Sequence, residues 1–353
     1  MIKNKKILII SILCFLLLLP LGCNNQTGDV TVENSEKNTG TTECSSIQEE
    51  TESTMEAEIY KVDPNVISDV YMTTEISPES LIKIYKALGK ELPGKVGVKI
   101  STGEPGSNYL KADLIGDLVK SLNGTIVECN TAYAGSRSST KLHKQVAKDH
   151  GYYDIADVDI MDEDTSMSIP VYGGTHIKEN LVGSHFTNYD SFLILSHFKG
   201  HTMAGLGGAI KNTSIGFASA EGKALIHSGG RTDISPFQGK RDDFLESMGE
   251  AAKSVSDYMD HGQKLLYINV MNRLSVSCDC ETHPAEPKMA DIGILASTDP
   301  VALDQACVDL IYSGENNEDM IERIESRNGL LTLEHAEAIG LGNRKYNLVS
   351  IDD

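Results

Sequence analysis

Residues 95–129 read KVGVKISTGEPGSNYLKADLIGDLVKSLNGTIVEC. Residues 95–101 alternate apolar and polar side chains as a strand does, then run into the turn Thr102-Gly103-Glu104-Pro105-Gly106. Over 113–122, Leu114, Ile115, Leu118 and Val119 fall on one helical face, and Asn123-Gly124 closes the helix. Residues 125–129, TIVEC, form a second short strand pattern. Strand, helix and strand in this order predict a parallel pair with a right-handed crossover.

The pattern continues outward. Ser77-Pro78-Glu79-Ser80 starts a helix on the amino-terminal side. On the other side a loop spans 131–139 and a helix 140–150. Strands are expected at 157–162, 168–172, 192–195, 265–270, 291–296 and 346–351. Helices are expected at 244–259, 301–312, 318–327 and 332–339, with Asp299 as N-cap and Pro300 as first residue of the second. The expected fold class is α/β: an open, mostly parallel sheet with flanking helices.

Three segments divide the chain. Lys3, Lys5 and Lys6 precede an apolar run at 7–19, and Leu21-Gly22-Cys23 stands where cleavage belongs, so 1–23 reads as a signal peptide. The placement of Cys23 resembles a bacterial lipobox, which implies lipidation there and an extracytoplasmic, membrane-anchored protein. Residues 24–60 are acidic and rich in Thr and Ser, with Lys37 their one basic residue. They read as a disordered tether. A single α/β domain is expected over 61–353. The net charge of −20 argues against nucleic acid or an anionic bilayer surface as a partner.

Candidate chemistry gathers in 191–228, SFLILSHFKGHTMAGLGGAIKNTSIGFASAEGKALIHS. His197 and His201 would share a face if helical, a usable metal spacing that Lys199-Gly200 opposes. His227 follows. Core hydrogen bonding is the other reading of these histidines. The glycine-rich run at 205–216 could present N–H groups to an anion, with Lys211 and Lys223 adding charge, or serve close packing. Cys278-Asp279-Cys280 offers soft ligands suited to zinc, iron or nickel, two small buried side chains, or a local disulfide. The other cysteines, sparse and odd in number, make no disulfide framework. Glu104 and Asp299 follow strands, which places them on the sheet edge of His197. No nucleophile elbow, Walker loop or dinucleotide fingerprint occurs.

Several motifs in order carry a resemblance: VKISTGEPG (98–106), VECNTAYAGSR (127–137), LSHFKGHTMAGLGGAIKN (195–212), GKALIHSGG (222–230), CDC (278–280) and DIGILASTDPVALDQA (291–306). Over about 61–353 the chain resembles the domain-of-unknown-function 362 family, grouped with uncharacterised iron–sulfur-centre proteins. The resemblance implies an α/β domain and metal association. Many members carry a ferredoxin-like, cysteine-rich insert after the segment matching His227. The corresponding residues 229–244 contain no cysteine, so no ferredoxin-type 4Fe–4S cluster is expected.

The resulting expectation is a tethered metalloenzyme acting on a small anionic molecule. Its divalent transition metal would be held by a subset of His197, His201, His227, Cys278 and Cys280. Lys199, Lys211, Asn212 and Lys223 would contact substrate, and Glu104 would move a proton. A lipoprotein that binds and delivers a metal or small anion is the alternative.

Overall fold

A computed structural model describes residues 59–352. The signal peptide, Cys23 and nearly all of the tether lie outside the described residues. Among the described residues no helix is long and apolar enough to cross a membrane.

The strands are β1 (Ser68–Thr73), β2 (Val96–Lys99), β3 (Thr125–Glu128), β4 (Val158–Ile160), β5 (Ser166–Pro170), β6 (Glu179–Gly183), β7 (Ser191–His197), β8 (Lys199–His201), β9 (Gly205–Gly207), β10 (Leu265–Met271), β11 (Gly293–Ser297) and β12 (Tyr346–Ser350). Eight of them form one sheet in the order β12-β1-β11-β10-β7-β2-β3-β4. Every neighbouring pair is parallel except those made by β11, which runs against both β10 and β1. The expected α/β fold with an open, mostly parallel sheet is the one observed.

Alternation explains why the central strands read as unbroken apolar runs. Phe192 and Ile194 of β7 point into one core and Leu193 and Leu195 into the other. In β10, Leu265 and Tyr267 are divided from Leu266 and Ile268 in the same way. A strand covered by helices on both faces has no polar side to show. The 95–129 unit forms as expected. β2 and β3 are parallel, and the helix Ala112–Ser121 between them buries Ile115, Leu118 and Val119. Asn123, at φ +47°, takes the left-handed position that ends it.

β11 overturns one expectation. Its reversed direction carries Asp299 to the sheet edge opposite His197, away from the candidate site. There Asp299 caps the helix Pro300–Ser313, accepting from the backbone N–H groups of Val301 (2.8 Å) and Ala302 (3.1 Å). It also accepts from Asn343 N (2.9 Å). Asp299→Ala is therefore expected to cost about 2 kcal/mol in denaturant unfolding, at the upper end of capping losses, while leaving ligand binding unchanged.

The strand expected at 168–172 is β5, two residues earlier, and it lies outside the main sheet, paired antiparallel with β6. β1, β6, β8, β9 and the helices Ala209–Ser214 and Ala220–His227 have no counterpart in the expected pattern.

Candidate functional site

The chain leaves β7 at His197 and returns as a short hairpin, in which β8 pairs with β9 and Lys199 lies opposite Gly207, His201 opposite Gly205. Lys199 and His201 thus share one face of a strand. The helical arrangement of His197 and His201 does not form, because the segment between them is extended. Gly200 lets this hairpin press against the loop before the cysteines. A Cβ there would lie 2.6 Å from the backbone of Val276. Gly200 N also donates to Ser275 O at 2.9 Å.

After the hairpin comes the short helix Ala209–Ser214, which carries Lys211. Its first N–H groups are already satisfied: Ala209 N and Ile210 N donate to the two carboxylate oxygens of buried Asp304, at 2.7 and 2.9 Å. Asn269 Nδ2 donates to the same carboxylate at 2.7 Å. The glycine-rich run is therefore anchored to protein and is not a free anion cradle. Burial raises the Asp304 carboxyl to about 6, against the pull of these donors.

These segments enclose a cavity of about 320 Å³ at the carboxyl edge of β2, β3 and β7. Its wall carries Lys99, Arg137, Lys199, Lys211 and Lys223 against the carboxylates of Glu128 and Asp279. Lys99 Nζ is 2.8 Å from Glu128 and 3.0 Å from Asn212 Oδ1. Arg137 reaches Glu128 at 3.8 Å and Glu104 at 3.0 Å. Lys199 is paired with Asp279 and lies 2.9 Å from His197 Nδ1. Lys223 donates to Ala218 O at 2.6 Å. Burial opposes ionisation of Glu128, yet Lys99, Lys223 and Arg137 hold its carboxyl at about 2. Lys211 has no hydrogen-bond or ion-pair partner among the described residues. Burial first, then the charges of Lys199 and Arg137, bring its ammonium down to about 7. It borders the cavity.

The three histidines have different protons to offer. His197 Nε2 lies 2.7 Å from Asn272 O, which only accepts, so this nitrogen carries hydrogen. Its Nδ1 faces Lys199 and Asp279. Both nitrogens are engaged, and His197 presents no open ligand position. His201 Nδ1 accepts from the backbone N–H groups of Met203 (3.2 Å) and Ala204 (3.0 Å), which leaves Nε2–H as the free group, a donor. His227 Nδ1 donates to Lys223 O at 2.7 Å and keeps a lone pair on Nε2. Burial lowers the pKa of both rings, that of His227 to about 3.

Cys278 and Cys280 are joined as a disulfide, the local bridge that was one of the three readings of this motif. Nitrogen and sulfur atoms of His201, Cys278 and Cys280 lie within 4.8 Å of one another, the one group of three or more metal-competent donors among the described residues. His197 and His227 stand apart from it. As a disulfide, the two sulfurs supply no thiolates, and His201 spends its Nδ1 lone pair on the backbone. The set fits a metal only after reduction of the disulfide and displacement of the His201 Nε2 proton by the metal.

Glu104 does not line the cavity. Its carboxylate accepts from Arg137 Nε (3.0 Å), Tyr133 Oη (3.0 Å) and Ser136 N (3.2 Å), so it positions Arg137 and is not a free base. The Asn212 amide is likewise committed, accepting from Lys99 and donating to Lys99 O (3.1 Å) and Ser196 Oγ (3.1 Å). It ties the ends of β2 and β7 together.

Lys99, Glu128 and Arg137 are absent from the expected site. A sequence signal existed for two of them: a charged residue closing a short apolar strand that is buried along its length in a parallel sheet needs a buried partner. Lys99 in VGVK and Glu128 in TIVE meet that condition on adjacent strands.

Fold and site together define an α/β protein with a cation-rich cavity at the carboxyl edge of its parallel strands. The chain belongs to the family described as Domain of unknown function (DUF362), whose model matches residues 96–309. Every cavity-lining residue lies in that span. No curated protein matches the sequence. Among solved structures, the lactate racemase apoprotein from Thermoanaerobacterium thermosaccharolyticum is similar at 12% identity and a TM-score of 0.36, over 82% of this chain and 85% of that one. A protein from Thermotoga maritima is similar at 13% identity and a TM-score of 0.35, over 79% of this chain and 60% of that one. Likenesses this remote bear on neither ligand nor reaction.

Proposed function

We propose that the cavity is the active site of an enzyme that binds a small anion and moves a proton on it, with Lys211 as the proton-transferring group. The observation that carries this reading is a half-buried Lys211 ammonium that lines the cavity with no partner among the described residues, beside the buried cations Lys99, Arg137, Lys199 and Lys223, in a chain of net charge −20. Free charge kept inside a protein calls for a counter-charge, and the ligand supplies it. An amine titrating at about 7 can both give and take a proton near neutral pH. The His201 Nε2–H would donate to the same anion, and the His227 Nε2 lone pair would accept from a hydroxyl or amine on it. On this reading the enzyme works outside the cytoplasm, tethered through Cys23.

Calorimetric titration of the intact chain tests the proposal. Oxalate is expected to bind in a 1:1 ratio, with affinity falling as salt rises, and the uncharged isostere oxamide is expected not to bind. Equal binding of the two, or of neither, would overturn the anion reading.

A second reading rests on the proximity of His201, Cys278 and Cys280. With the cysteines reduced and His201 Nε2 deprotonated, this group would hold zinc, iron or nickel, and the protein would bind or deliver that metal.

A further inference from the structure

The disulfide has a position that a simple staple does not need. A bridge between residues two apart closes a very short loop, where a cross-link constrains the unfolded chain least. Both cysteines line the cavity. Cys278 is buried, with 5% of its surface exposed, whereas Cys280 is only partly covered. The remaining described cysteines, Cys129 and Cys307, are buried free thiols outside this loop.

The surroundings favour thiol chemistry. His201 brings a ring nitrogen within 4.8 Å of the sulfurs, and its free nitrogen is an N–H donor. Asp279, between the cysteines, holds Lys199 beside them. Lys211, without a partner among the described residues, lines the same cavity. An anionic thiol entering here meets a cation for its charged end and a disulfide for its sulfur.

The geometry points to the Cys278–Cys280 disulfide as a redox centre that oxidises a small thiol bearing a carboxylate. This rests on the reading of the cavity as an anion site. The thiolate forms a bond to Sγ of the less buried Cys280, the Cys278–Cys280 bond breaks, and Cys278 departs with the electron pair as a thiolate beside His201. A second thiol attacks the substrate sulfur of the mixed disulfide and releases Cys280. Two thiols become one disulfide, the protein disulfide becomes a dithiol, and the two thiol protons end on the cysteines.

The test follows loss of the disulfide in the intact chain by alkylation and mass measurement. Rates with 3-mercaptopropionate and 2-mercaptoethanol are each divided by the rate of the same thiol on a small-molecule disulfide. The normalised rate is expected to be about tenfold higher for the carboxylate thiol, in line with electrostatic steering into a cationic cleft. Lys211→Met or high salt is expected to erase the difference. Treated with dithiodipropionate, the Cys278→Ser variant is expected to form the mixed disulfide on Cys280, and Cys280→Ser to form little. Equal normalised rates, or preferential adduct formation on Cys278, would overturn the proposal. Oxalate titration of the same samples separates the two readings. If oxalate binds while the thiols show no difference, the redox centre fails and the anion site stands; if oxalate does not bind, the anion site itself fails.

Discussion

Lys211→Met is expected to weaken oxalate binding by about 100-fold at pH 6.5 and to flatten its dependence on pH. A hydrogen bond to a buried charge contributes about 1.5–3 kcal/mol, and each 1.4 kcal/mol is a factor of ten. Lys211 has no partner among the described residues to absorb the loss. The pH sign follows from its depressed ammonium. Below about 7 Lys211 is charged and the anion binds tightly; above that value the amine is neutral and affinity falls by up to tenfold per pH unit. A bound anion draws the proton back, so titration at pH 8 should take up as much as one proton. This appears as a binding enthalpy that varies with the ionisation enthalpy of the buffer. His227, pushed down to about 3 by burial, stays neutral throughout the window, and Asp304, at about 6, titrates below it. Lys211→Arg should bind with little change from pH 6.5 to 9, because guanidinium keeps its charge. Wild-type affinity that is equal at pH 6.5 and 9 would remove Lys211 from the site.

What the sequence made legible was set by which interactions are local. Continuous apolar runs at 192–195 and 265–270 identify central strands because both faces of those strands are buried. Ser77 and Asp299 identify helix starts because a cap uses neighbouring N–H groups, at 3.1 Å from Ser80 N and 2.8 Å from Val301 N respectively. The direction of β11 was not legible. Its sequence suits either orientation, and only its pairing with β10 and β1 decides, which is why Asp299 fell on the wrong edge. The hairpin of β8 and β9 was hidden by length, three residues a strand with glycines in both. The chemistry of each histidine was equally hidden, since it depends on which ring nitrogen the backbone occupies. Arg137 sits in an irregular loop and becomes a wall residue only through its pairing with Glu104, 33 residues away in sequence. Cys278-Asp279-Cys280 was legible as a motif, with its bonding left open among three readings.

Glu128→Ala is expected to destabilise the domain by about 3–5 kcal/mol, the loss found when one partner of a buried ion pair is removed. Glu128 is the carboxylate against which Lys99 and Arg137 are both set, at 2.8 and 3.8 Å. Without it these cations remain inside the wall with less compensation. Replacing both members of the closest pair, Lys99→Met with Glu128→Leu, should recover much of the loss, because apolar residues of similar volume carry no desolvation penalty. The pH dependence gives an independent check. Glu128 is held at about 2 in the folded protein, against the ordinary 4.5. Its contribution is therefore complete above 4.5 and is lost as pH falls from there toward 2, about 3 kcal/mol across the window. Denaturant unfolding at pH 7 and pH 3 should show about 2 kcal/mol of that decline in wild type and a shallower one in Glu128→Ala. Should the two proteins lose stability in parallel on acidification, Glu128 would not be the group that holds the cations in the wall. Asp279 is already engaged by Lys199. The cavity can hold Lys211 uncompensated only while the cations around it are themselves neutralised, so the stability of this wall and the affinity for an anion are set by the same charges.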